Sequence, residues 1–246
     1  MLVRKRSHDD MEGTLVMQMF QSFRSELDEH HDRRERVIKA SRDVTAASKK
    51  VIFSLQRSAI LSQHFQAKRS AGAAVWPHYN TIRTHLSSVA ADLQGINAAR
   101  YERQITWGLQ EWMEAVAFET YLEEAKLLTF DDAVARLRSF AEGSAMPLTY
   151  KDYLLGIYDT TGELMRFAIT TMATGGQVPA VSGQPDRNVV NDLRMLRAAL
   201  ESLNSGRGPF ANEVDKKAQV MRTSVEKAEK ALYGLVVRGA EMPAVG

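Results

Sequence analysis

The sequence predicts an all-α protein: a single-domain bundle of seven helices that opens with a long N-terminal one. Three observations predict it. No stretch alternates apolar and polar residues at a period of two, so no sheet is expected. Apolar residues recur instead at three- and four-residue spacing through most of the chain. The breaks between these segments are short, which favours antiparallel neighbouring helices in one domain.

Residues 1–12 read as a disordered N-terminus and 13–246 as the helical domain. The first helix is expected from Gly13 to Ser62, with Leu15, Met19, Phe23, Leu27, Val37, Val44, Val51, Phe53 and Leu55 as its apolar positions. Its middle, Ser25 to Arg36, is densely charged, as suits a helix that projects from the body or lies against a partner. A break near Ala67–Ala73 precedes a second helix, from Trp76 or Pro77 to Asp92, with Pro77 tolerable in the first turn. The third helix spans about Asn97 to Leu128. Thr129 caps a short fourth helix that ends at Phe140, with Asp131 and Asp132 in its first turn. Thr149 and Asp152 cap a fifth helix reaching about Ala173. Gly175 to Pro185 reads as a flexible loop. The sixth helix is expected from Asp186 to Leu203 and the seventh from Phe210 to about Val237.

Composition narrows the function classes. At 44% hydrophobic, the 246 residues can build an ample core. A net charge of +2 gives no electrostatic case for a general nucleic-acid binder, although a local basic patch is compatible with it. Cysteine is absent, which excludes disulfides, thiolate metal sites and a cysteine nucleophile, and fits a reducing compartment. No apolar run approaches the roughly 20 residues of a membrane span, so no membrane partner is expected. Arg4-Lys5-Arg6 reads as a fragment of a nuclear address. No Gly-rich phosphate loop, serine-nucleophile elbow or zinc-ligand spacing occurs.

The chemistry concentrates on the third helix. Ile105, Leu109, Trp112 and Val116 form one apolar stripe, and Trp107, Gly108, Ala115, Phe118 and Leu122 a second. The second stripe carries Glu111 and Glu114, three residues apart, so both carboxylates point the same way. Burying a carboxylate is costly without a partner, and an arginine, a shared proton or a metal ion would each serve. On the fifth helix Asp159 and Glu163 form another acidic pair, which judged alone is a solvent face. Gly156 and Gly162 interrupt the same helix at about 1 kcal/mol each relative to alanine and leave room for a close neighbour. If the two helices pack with these faces opposed, four carboxylates converge. Carboxylate oxygens suit Mg²⁺ or Mn²⁺, which activate water and neutralise phosphate in phosphodiester cleavage. A di-iron site is the rival, but its Glu-x-x-His motif is missing, and the nearest approach is Asp28-x-x-His31.

At this level longer strings resemble a known family. Phe20-Gln-Ser-Phe-Arg-Ser-Glu-Leu-Asp-Glu-His-His-Asp32 and Lys39-Ala-Ser-Arg-Asp-Val-Thr45 are similar to the first helix of the translin-associated factor X (TRAX) branch of the translin family. Gly108-Leu-Gln-Glu-Trp-Met-Glu-Ala-Val-Ala-Phe118, Asp152-Tyr-Leu-Leu-Gly156 and Thr161-Gly-Glu-Leu-Met-Arg166 resemble it too, as does Tyr233 to Pro243. The resemblance implies a seven-helix fold and a hetero-oligomeric barrel with translin. It implies the catalytic subunit of a Mg²⁺-dependent endoribonuclease acting on single-stranded RNA, including passenger-strand fragments of small interfering RNA and tRNA-processing fragments. The family's catalytic and metal-binding acids fall on Glu111, Glu114, Asp159 and Glu163. Arg103 and Arg166 are the nearest RNA-binding candidates on the acidic helices. Single-stranded DNA is a further candidate ligand, and the expected location is cytoplasmic and nuclear. The loop between helices four and five is shorter than in animal members, and the Gly175–Pro185 loop longer. The competing expectation is a non-catalytic helical partner that stabilises translin and assists RNA or DNA binding.

Overall fold

In the computed structural model, residues 8–62, 71–181 and 184–241 are described. Seven α-helices follow one another among them: α1 (His8–Ser62), α2 (Ala71–Val89), α3 (Ile96–Glu124), α4 (Phe130–Phe140), α5 (Tyr150–Gly175), α6 (Val189–Glu201) and α7 (Pro209–Glu241). A 3₁₀ turn, Ala91–Leu93, follows α2. The Arg4–Arg6 cluster, much of the break after α1 and the tail beyond Glu241 lie outside the described residues. So do residues 1–7 of the segment read as disordered, whereas His8–Glu12 belong to α1.

Helix α3 lies at the centre. It packs against α1 on one side and α5 on the other, while α2 leans on α1 and α7 on α5. Ile105, Leu109, Trp112, Met113, Val116 and Phe118 are fully buried, so α3 is apolar over most of its circumference, as its two stripes predict. Two glycines allow the close packing. A Cβ on Gly108 would lie 2.8 Å from the Ser41 carbonyl oxygen of α1, and one on Gly156 would lie 2.8 Å from Met113 Cβ. The expected packing of the third helix on the fifth is therefore present, with Gly156 as the point of contact. Gly162 has no such role, since a Cβ there meets nothing within 4 Å.

The caps read from the sequence are in place. Thr129 accepts the Asp132 amide, and Thr149 and Asp152 form a reciprocal capping box. Several boundaries differ from expectation, each for a local reason. Helix α2 begins at Ala71, so Pro77 lies inside the helix rather than in its first turn. Helix α3 ends at Glu124 instead of running to Leu128, because Ala125 turns left-handed (φ 52°) and returns its amide to the Tyr121 carbonyl. The expected loop after α5 contains a small antiparallel hairpin, β1 (Ala180–Val181) on β2 (Gln184–Asn188), where the pattern predicts no strand. Two such short strands containing Pro185 carry no readable alternation. Asn188 then accepts two amides and starts α6 at Val189, later than Asp186.

The N-terminal part of α1 is bare. Leu15, Met19, Phe20, Phe23 and Leu27 are all exposed, and the helix meets the body only from its polar middle onward. There Arg33 and Arg36 both donate to Asp92, and His30 meets the Tyr101 hydroxyl at 2.6 Å. The charged run thus fastens a projecting helix to the bundle, consistent with its expected exposure.

Candidate functional site

Four carboxylates line one cavity of about 950 Å³: Glu111 and Glu114 from α3, Asp159 and Glu163 from α5. Lys49, Ile52, Phe53, Gln56 and Arg57 of α1 and Arg166 of α5 complete much of its wall. The i,i+3 spacing of the glutamates turns both toward α5, and the i,i+4 spacing of the other pair turns both back. Glu163 is buried, with 9% of its surface exposed, so the fifth helix does not present a plain solvent face here.

The four acids are not equivalent. Lys49 Nζ lies 3.3 Å from Glu111 Oε1. Lys217 of α7 donates to Asp159 Oδ2. Gln56 donates to Glu163 Oε2 at 3.0 Å, and Arg166 approaches the same oxygen at 3.4 Å. Glu114 has no hydrogen-bond or ion-pair partner among the described residues. Burial is the main cause that pushes its carboxyl up to about 8, and the charges of Asp159, Glu111 and Glu163 push in the same direction. Burial also raises Glu111, against the opposing pull of Lys49.

This donor set has the chemistry that Mg²⁺ or Mn²⁺ prefers, all hard oxygen. Among the described residues no three acidic or histidine side chains converge closely enough to hold a metal ion. Two lysines engage Glu111 and Asp159 instead. Among the described residues no bidentate arginine lies in their midst, since Arg166 makes a single contact and keeps 64% of its side chain exposed.

The two arginines singled out from the sequence separate. Arg166 lines the acidic cavity. Arg103 lines a second hollow of about 450 Å³, with Arg34, Ile38, Arg42 and Thr45 of α1 and Trp107 of α3. Helical spacing places Arg103 and Trp107 on the face of α3 that also carries Glu111 and Glu114, one to three turns away. Trp107, grouped by spacing with an apolar stripe, is 69% exposed. This hollow has three guanidinium groups and one open indole, the residue types that grip phosphates and stack bases.

Sequence reasoning missed Lys49, Gln56 and Lys217. They lie on α1 and α7, far along the chain from the acids, and two lysines among 32 basic residues carry no spacing signal. Only the packing of α1 and α7 beside the α3–α5 pair selects them.

Comparison with known proteins agrees with the fold. Translin-associated protein X of Mus musculus is 32% identical over 260 residues, covering 98% of this chain and 85% of the mouse protein. The translin-associated protein X homolog of Schizosaccharomyces pombe is 30% identical over 222 residues, covering 90% and 89%. Translin of Homo sapiens is 24% identical over 213 residues, covering 81% and 88%. Among solved structures, AfC3PO superposes with a TM-score of 0.65 at 19% identity, covering 89% of this chain and 98% of that one. An AfC3PO complex with duplex RNA superposes at 0.66 with 18% identity, covering 89% and 97%. The translin family profile matches residues 32–239. With that match and nearly full-length identity to translin-associated protein X of several species, the chain belongs to the translin family.

Proposed function

We propose that this chain is the catalytic subunit of a metal-dependent endoribonuclease that assembles with translin and cleaves single-stranded RNA. The observation that carries the reading is Glu114: a mostly buried carboxyl with no ion pair or hydrogen bond among the described residues, faced by three further carboxylates whose charge outweighs the pull of Lys217. Like charges gathered at that density favour a divalent cation or a retained proton. Kinship with translin-associated protein X and the likeness to C3PO structures, one of them bound to duplex RNA, support RNA as ligand and translin as partner.

Glu111, Glu114, Asp159 and Glu163 would hold the ion, Mg²⁺ or Mn²⁺, with Glu111 and Asp159 exchanging their lysines for it. When bound, the ion would supply Lewis-acid activation of water and charge neutralisation at the scissile phosphate. The protein's own groups do the rest. A carboxylate of the cluster that is left unbound by the ion can take the proton of an attacking water and return it. Lys49 and Lys217, once released, offer ammonium groups to the phosphate. Arg34, Arg42, Arg103 and Trp107 would hold the strand along the α1–α3 groove. The test is co-expression with translin and cleavage of a labelled single-stranded RNA with Mg²⁺ and with EDTA. Cleavage is expected only with Mg²⁺ and not in Glu114→Ala, with assembly intact; equal cleavage by that variant would sink the assignment.

One observation favours a second reading. With the Arg166–Glu163 contact, the Lys49–Glu111 and Lys217–Asp159 pairs set a cation against three of the four acids, and the two lysine pairs join α1 to α3 and α5 to α7. In this reading the chain is a non-catalytic scaffold that stabilises the translin oligomer and assists RNA or DNA binding. The same assay separates the two, because a scaffold gives no metal-dependent cleavage that responds to Glu114.

A further inference from the structure

The wall of the acidic cavity contributed by α1 has its own pattern. Lys49, Phe53 and Arg57 follow at four-residue intervals, so they form one stripe of the helix facing the cavity. Phe53 is 70% exposed, while its neighbours Ile52 and Leu55 are buried at 5% and 1%. The core therefore does not need this ring. Arg57 is exposed and pairs with no carboxylate among the described residues, unlike Lys49. Arg166, across the cavity on α5, keeps most of its guanidinium free beside its single contact with Glu163. Along α1 the open Phe53 ring lies between Lys49 and Arg57, and it lines the same cavity as Arg166 and the four carboxylates. Its chemistry matches one ligand well: a base presents a flat face to stack, and its flanking phosphates need cations.

We propose that Phe53, Arg57 and Arg166 form a nucleotide subsite that takes one unpaired base of an RNA strand. The base stacks on the Phe53 ring, and Arg57 and Arg166 hold the phosphates beside it. That placement sets the adjacent phosphodiester against Glu111, Glu114, Asp159 and Glu163. A base inside a duplex has both faces covered by its neighbours, so it cannot use the ring. The subsite therefore selects unpaired strands, a discrimination that the acids themselves cannot make. The inference rests on the RNA reading of the cavity given above.

The test uses the full chain assembled with translin and carrying Glu114→Gln, so that RNA stays intact. Fluorescence anisotropy measures affinity for a short single-stranded RNA and for a blunt duplex of equal length. Phe53→Ala should weaken single-strand binding about 5- to 150-fold, the range of one lost stacking contact of ~1–3 kcal/mol, and leave the duplex unchanged. Phe53→Trp should restore binding and lose indole fluorescence when RNA is added. Arg57→Gln should weaken binding and lower the salt slope by about one charge. Unchanged single-strand affinity in Phe53→Ala overturns the subsite. Equal weakening for duplex overturns the selectivity. Loss of translin from the assembly, read by light scattering, makes Phe53 a subunit contact and also overturns it. Metal-dependent cleavage by the otherwise unaltered chain separates these failures from failure of the nuclease reading. If that cleavage persists while Phe53→Ala is silent, only the subsite falls.

Discussion

Helix α3 buries two glutamates just over one turn apart, and they live under opposite rules. Glu119 is 5% exposed and paired: Arg136 of α4 donates to its Oε2, and the Tyr79 hydroxyl of α2 donates to the same oxygen at 2.8 Å. The Arg136 guanidinium also lies 5.6 Å from the centre of the Tyr79 ring. Glu114 is more accessible than Glu119, yet three acids face it with only the more distant Lys217 opposing them, and its carboxyl is pushed up to about 8. A buried carboxylate with a matched cation ties α2, α3 and α4 together. A mostly buried carboxylate among like charges stores electrostatic tension that the fold alone does not relieve. The first is architecture, and the second is where chemistry is proposed.

That contrast can be broken in a definite order. Glu119→Ala leaves a half-buried guanidinium and the buried Tyr79 hydroxyl without their acceptor and should cost about 2–4 kcal/mol of stability by urea denaturation. A loss below ~1 kcal/mol would remove Glu119 from the architectural side. Glu114→Ala should leave the thermal midpoint of the assembly nearly unchanged while lowering Mg²⁺-dependent cleavage at least about 100-fold, the scale of a lost general base. Gly156→Ala tests the contact that opposes the two acidic pairs. Its new Cβ meets Met113 at 2.8 Å, so overpacking of about 1–3 kcal/mol is expected, with cleavage falling beyond the fraction unfolded.

The pH dependence of stability sharpens the same contrast. The folded Glu114 carboxyl, near 8, lies above its ordinary value of 4.5. Between those two values the folded state binds a proton that the unfolded chain has released. Stability from this group is thus present in acid and is lost as pH rises toward 8. Glu114→Gln should match the parent at pH 4 and become the more stable of the two as pH rises from 4.5 through 8. Parallel stability curves for the two proteins would place Glu114 in ordinary solvent.

The legible part of this protein was local. Helix identity followed from apolar spacing, and Thr129 and Thr149 announced their caps because capping is a contact within four residues. The same-face geometry of Glu111 with Glu114 was readable because helix period alone sets it. Asp159 and Glu163 were weaker, since an acidic pair on one face does not say whether that face is wet. Trp107 misled for the complementary reason: a hydrophobic residue at stripe spacing gives no measure of its 69% exposure. The hairpin at 180–188 was invisible because two short strands are defined by pairing with each other, not by any pattern within either.

By itself, then, the sequence determined the all-α class, the order of seven helices and the residues that can carry charge chemistry, because backbone hydrogen bonding and side-chain period are short-range. Only the tertiary structure decided which charges meet. Asp159 finds Lys217 from another helix, Glu119 finds Arg136, and Glu114 makes no ion pair or hydrogen bond among the described residues, feeling Lys217 only at longer range. Coulomb energy depends on distance and burial, and neither exists until the helices have packed.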